Sequence, residues 1–132
     1  MPGGSATTTM TTMIAQDGES ERPRSLTLTS RVVDGITVIA VDGLLDATTR
    51  EEFAEFLSQA GPALILDLAG VTFMDSRALG LIVHRWQTTL SSGGRFALIG
   101  VDYARARVIW ITGLAERLPL HDSLEEALAA LA

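Results

Sequence analysis

Between Leu64 and Val83 the chain reads LILDLAGVTFMDSRALGLIV, a buried strand run directly into a helix with Asp75-Ser76 at the junction. The first N–H groups of a helix lack internal partners, so a residue just before the first turn can satisfy one of them. The same positive end also tolerates added negative charge. Ser76 is therefore a candidate helix cap, a candidate phosphoacceptor, or both, and the local physics leaves the two open.

The rest of the pattern extends this strand-to-helix alternation. Leu26 to Val33 and Ile36 to Val41 are rich in β-branched and apolar residues, and Asp34-Gly35 between them is a favoured two-residue hairpin turn. Thr48 and Glu51 have capping-box spacing, and Phe53, Phe56, Leu57 and Ala60 follow at helical intervals until Gly61-Pro62 stops the run. Leu64 to Leu68 reads as a short strand interrupted by Asp67. After Ser76, the residues Leu79, Ile82, Val83, Trp86 and Leu90 form a helical stripe that ends at Ser91-Ser92-Gly93-Gly94.

Arg95 to Val101 reads as a further strand, and Tyr103 to Thr112 as a third helix with Gly113 in the C-terminal capping position. Leu118 to His121 is a brief strand, and Ser123 with Glu126 opens a last helix through Leu124, Ala127, Leu128 and Leu131. Such alternation implies parallel crossovers after an initial antiparallel hairpin. The expected fold is α/β, with a mixed, mostly parallel sheet and flanking helices.

A chain of 132 residues with 47% hydrophobic composition suits one domain with a real core. Residues 25–132 are expected to form it. Residues 1–24, with Gly3, Gly4 and five Thr between Thr7 and Thr12, carry too little apolar surface to offset ordering entropy and read as a flexible N-terminal tail. Met10 and Met13 offer later translation starts.

Several function classes fall away on composition. The net charge is -6 and all ten basic residues are Arg, spread from Arg22 to Arg117 without a cluster suited to nucleic-acid phosphates. Without Cys there are no disulfides and no thiolate metal sites. The chain lacks an apolar run of the ~20 residues a bilayer requires and a signal-peptide pattern, so a cytoplasmic protein without membrane insertion is expected.

Catalysis by Ser76 would need a nearby base. His84 is eight residues along the same helix, roughly 12 Å away at ~1.5 Å per residue. The nucleophile-elbow glycines are replaced by Met74 and Ala78, and a Walker loop would need a Lys. Asp46 and Asp75 each follow a strand and could meet at one end of the sheet, although Asp before a helix is an ordinary cap. No enzymatic activity, metal or cofactor is expected.

The runs VTFMDSRALG, GLLDATT (Gly43 to Thr49) and ITGLAERLPLHDSLEEALAAL together resemble the STAS domain of bacterial anti-sigma-factor antagonists. The resemblance covers Leu26 to Ala132. It implies a single STAS-like domain and a Ser directly after the Asp, here Ser76, that an anti-sigma factor with serine-kinase activity phosphorylates. It also implies a partner-binding edge made of Asp46, Thr48, Thr49, Asp75, Arg77, Ala78 and Leu79.

The unphosphorylated protein would then bind the anti-sigma factor and free a sigma factor, and phosphorylation would switch binding off. The alternative is a STAS scaffold or accessory subunit of a regulatory or lipid-transport complex without regulated phosphorylation. The chain departs from the family pattern at Leu44, Arg77 and Ala78, where an acidic residue, a second Ser and a Gly are frequent. A homo-oligomer is left open.

Overall fold

Asp34 and Gly35 both adopt positive φ, 53° and 80°, as the right-handed twist of a two-residue hairpin demands. They join β2 (Leu26–Val33) to β3 (Ile36–Leu45) in antiparallel register, Val33 opposite Ile36. The molecule is seen in a computed structural model that describes residues 11–15, 25–102 and 104–132.

Before the hairpin, β1 (Thr11–Ala15) pairs antiparallel with β2, Thr11 opposite Ser30 and Ala15 opposite Leu26. This strand lies inside the stretch expected to be a tail. Thr and Ile suit an extended backbone, and the outer edge of β2 offers unpaired N–H and C=O groups to receive it. Apart from residues 11–15, the expected tail lies outside the described residues.

After β3 come α1 (Arg50–Ser58), β4 (Ala63–Met74), α2 (Ser76–Ser91), β5 (Arg95–Ile99), α3 (Arg107–Ile111), a 3-10 turn at Leu114–Glu116, β6 (Leu120–His121) and α4 (Leu124–Leu131). Among the described residues the sheet has six strands in sequential order, with β3-β4, β4-β5 and β5-β6 parallel. The mixed α/β sheet with its opening hairpin is borne out.

The two faces of the sheet bury separate cores, as period-two alternation dictates. Leu28, Ile39, Leu64, Leu66 and Leu98 face α1, α2 and α3 and pack with Phe53, Leu57, Ile82 and Ile109. Ile36, Val38, Ile65, Ala97 and Ile99 face the other way and are covered through Ala127 and Leu131 of α4. Successive crossovers of one hand to the next strand stack three helices on one face. Among the described residues only α4, which follows the last strand, covers the second.

The structure alters several element bounds. β4 runs twelve residues to Met74, well past the expected end at Leu68. Asp67 does not interrupt it, because its carboxylate accepts the Ala69 N–H at 3.0 Å within the strand. Leu90, expected on the buried stripe of α2, is exposed, and Thr89 is buried in its place.

The third helix is shorter than expected. The Asp102 carboxylate accepts the Ala104 N–H at 2.8 Å, and its carbonyl oxygen accepts the Ala106 N–H at 2.9 Å. This Asx turn competes with helix and delays α3 to Arg107. Tyr103, its expected first residue, lies outside the described residues. Gly113 stands just past the helix at φ 79°, in the left-handed conformation that ends helices.

β6 keeps only Leu120 and His121, since Leu118 turns into the core. At α4 the Ser123 hydroxyl accepts the Glu126 N–H at 3.1 Å, one arm of the expected capping box. The return arm shifts by one residue, Glu126 accepting from the Asp122 N–H at 3.2 Å.

Candidate functional site

The adjacent parallel strands β3 and β4 end side by side, with Leu45 opposite Met74. The Asp75 N–H donates to the Leu45 carbonyl at 3.0 Å, so the loops that follow the two strands leave the sheet from one shared point. Asp46 and Asp75 therefore lie at the same carboxyl-terminal edge. The sequence placed each after a strand, and the register brings the two loops together.

A bulge in β3 sets this approach. The register slips between Gly43 and Leu44, and Gly43 adopts φ 115°. A side chain there would drive its Cβ into the Ser25 carbonyl oxygen, which itself accepts the Leu44 N–H at 2.7 Å. Bulges of this kind re-aim the residues beyond them. The residues re-aimed are Leu45 and the loop that starts at Asp46.

That loop holds itself together. The Asp46 carboxylate accepts from the Thr48 N–H at 2.9 Å and from the Thr48 hydroxyl at 2.6 Å. Thr49 is 1% exposed, and its hydroxyl donates to the Leu44 carbonyl at 2.8 Å while accepting the Asp46 N–H at 3.1 Å.

The expected Thr48-Glu51 capping box is consequently not formed. Thr49, not Thr48, occupies the N-cap position of α1, without a side-chain capping bond. The physical reason is competition, because both threonine hydroxyls are already engaged in closing the loop. Thr48 is exposed, whereas Thr49 is a buried strut.

At the second loop Asp75 is the cap. Its backbone is extended, its Oδ1 accepts the Ala78 N–H at 2.8 Å, and its carbonyl accepts the Leu79 N–H at 3.1 Å. Ser76 thus becomes the first residue of α2, and the reading of Ser76 as the cap is corrected. Its side chain is exposed, and its hydroxyl has no hydrogen-bond partner among the described residues.

Arg77 beside it is also exposed and makes no ion pair among the described residues. Ala78 and Leu79, expected at a partner surface, are only 1% and 3% exposed and belong to the core with Met74 and Ile82. Helical periodicity turns them inward once Ser76 and Arg77 face out. They seat the start of α2 from beneath.

The chemistry open to this edge is limited. No base is hydrogen-bonded to Ser76 among the described residues, and His84 lies exposed farther along α2. No group of three or more His, Asp or Glu side chains arranged to hold a metal is found among the described residues. An unengaged hydroxyl at a positive helix end can accept a phosphoryl group without disturbing a bond that holds the fold.

Residues 27–127 match the family model of the STAS domain. This chain belongs to the STAS domain family. The STAS match spans both loops of the edge and α1 to α3, and it ends within α4. Among relatives of this STAS protein is the anti-sigma-F factor antagonist RsfA of Mycobacterium tuberculosis, 28% identical over 103 residues that cover 74% of this chain and 80% of RsfA.

Solved structures agree with the fold. An anti-sigma factor antagonist from Mycobacterium paratuberculosis superposes with a TM-score of 0.72 at 29% identity, covering 81% of this chain and 94% of the other. The phosphorylated form of the Bacillus cell fate determinant SpoIIAA superposes with a TM-score of 0.58 at 25% identity, covering 74% and 91%. No helix among the described residues of this STAS protein is long and apolar enough to cross a membrane.

Proposed function

We propose that this STAS-domain protein is an anti-sigma-factor antagonist whose binding edge combines the Asp46–Thr49 loop with Asp75, Ser76 and Arg77. In this reading it binds an anti-sigma factor with serine-kinase activity, releases the sigma factor held there, and is switched off by phosphorylation of Ser76. The observation that carries the reading is the exposed Ser76 hydroxyl, without a hydrogen-bond partner among the described residues, one residue after the Asp75 cap. Likeness to RsfA and to a phosphorylated SpoIIAA adds to it.

Magnitudes favour a switch of binding over a switch of folding. A phosphoserine carries about -1.5 to -2 charge near neutral pH. At an exposed helix N-terminus that charge is favourable by only ~0.3 to 1 kcal/mol. Burying it without compensation in an interface costs roughly 2 to 5 kcal/mol, which is about 30-fold or more in affinity. Binding should respond far more strongly than stability.

Titration calorimetry of the unmodified and Ser76-phosphorylated chains against the cognate anti-sigma factor tests the proposal. Tight binding lost on phosphorylation supports it, and equal affinity of the two forms refutes the switch. A chain that binds no anti-sigma factor in either form refutes the antagonist reading itself.

A further inference from the structure

Beside the Ser76 edge, the end of β4 and the segment around α3 enclose an open groove of about 270 Å³. Phe73 and Met74 form one wall, and Arg105, Arg107, Val108 and Ile111 the other. Phe73 is 49% exposed and Ile111 71%, two large apolar side chains left in water along the same groove. Leu90 is the other large apolar side chain so exposed among the described residues, and it lies outside this groove.

The charge around the groove is opposite to that of the whole chain. Arg105 and Arg107 are exposed and make no ion pair among the described residues, as does Arg77 one residue beyond Ser76. In a protein of net charge -6, unpaired guanidinium groups flanking an apolar slot select an acidic visitor. Asp102 forms no ion pair with either arginine among the described residues; its carboxylate accepts the backbone N–H groups of Ala104 at 2.8 Å and Arg105 at 3.3 Å.

Phe73 lies three residues before Ser76 on the same strand end and pairs in register with Leu44, next to the Asp46 loop. The groove is thus continuous with the proposed binding edge. An apolar anchor set in a pocket and ringed by charge is the usual form of a binding hot spot.

We infer that the Phe73–Ile111 groove is a second docking arm for the anti-sigma factor, which fills it with a segment carrying one large apolar side chain flanked by carboxylates. This rests on the antagonist reading of the Ser76 edge. The arm gives specificity that the edge alone lacks, because Arg105 and Arg107 attract an acidic segment and repel a basic one.

The test uses the full chain and the purified anti-sigma factors of its own host, titrated at low and high salt. Arg105→Glu with Arg107→Glu should weaken binding roughly tenfold or more at low salt, with the deficit narrowing at high salt. Ile111→Ser should weaken binding by a similar factor at both salt levels, and its exposed position keeps folding intact, checked by an unchanged melting curve.

Wild-type affinity in both variants overturns the docking arm and leaves the Ser76 reading standing. Absence of binding by the wild-type chain overturns both. Two other occupants would also overturn the assignment. They are a second copy, seen as a wild-type dimer that Ile111→Ser dissociates in sedimentation, and an anionic membrane, seen as binding to phosphatidylserine vesicles that the charge-reversed variant loses.

Discussion

Asp75 accepts the Ala78 N–H at 2.8 Å, and by filling the cap position it leaves the neighbouring Ser76 hydroxyl, at the start of α2, without a partner among the described residues. Two adjacent polar residues thereby divide two tasks. Asp75 holds the helix end together, and Ser76 can change its charge without removing a bond that the fold uses.

Asp75→Ala should destabilise the protein by about 0.5–2 kcal/mol, the usual cost of an N-cap lost to Ala. Asp75→Asn keeps an acceptor and should lose much less. Chemical denaturation measures both, and faster amide exchange at Ala78 in the Ala variant locates the loss at the start of α2.

Ser76→Ala should leave the melting temperature within experimental scatter, because the hydroxyl has no partner among the described residues to lose. Differential scanning calorimetry checks this. A drop comparable to that of Asp75→Ala would assign Ser76 a structural role and weaken the proposed switch.

Arg85 on α2 donates to the carbonyl oxygens of Leu57 at 3.1 Å, Ala60 at 3.1 Å and Gly61 at 2.6 Å, closing the end of α1. Partial burial pulls its pKa below the ordinary guanidinium value through desolvation. Arg85→Leu removes three charge-assisted bonds at once and should cost about 1–3 kcal/mol in urea unfolding. Arg85→Lys should recover only part of that, since an ammonium lacks the planar fork that reaches several carbonyls together.

Gly43→Ala should cost about 1–3 kcal/mol or more, because Gly43 combines φ 115° with close approach to the Ser25 carbonyl. The bulge aims the Asp46 loop, so the same variant should lose anti-sigma-factor affinity beyond any loss of folded protein. Thermal denaturation paired with calorimetric titration separates the two effects.

Much of this architecture was legible in local pattern. Asp34-Gly35 announced the hairpin because few sequences tolerate two successive positive φ values. The stripes through Phe53, Leu57, Leu79 and Ile82 announced α1 and α2 because a buried helix face must recur at its own period. Ser123 announced α4 for the same local reason, and its hydroxyl does cap the helix.

Where local signals competed, the pattern misled. Thr48 and Glu51 had capping-box spacing, but Asp46 engages Thr48 and the Leu44 carbonyl engages Thr49. Ser76 and Asp75 are both good caps, and only the extended backbone at Asp75 decides which one caps. Ala78 and Leu79 belonged to the right motif, yet the phase of α2 turns them into the core.

By itself, then, the sequence determined the order of the elements from Leu26 onward, the hairpin, the apolar stripes of α1 and α2, and the resemblance that points to Ser76, while β1 was missed. These depend on periodicity and turn chemistry, which act over a few residues. Tertiary structure alone decided that the Asp46 and Asp75 loops share one edge, that Arg85 closes α1, and that Phe73 and Ile111 line one groove beside two arginines with no ion pair among the described residues. Those relationships join residues distant in the chain, and they exist only once strand register and helix packing have fixed their places.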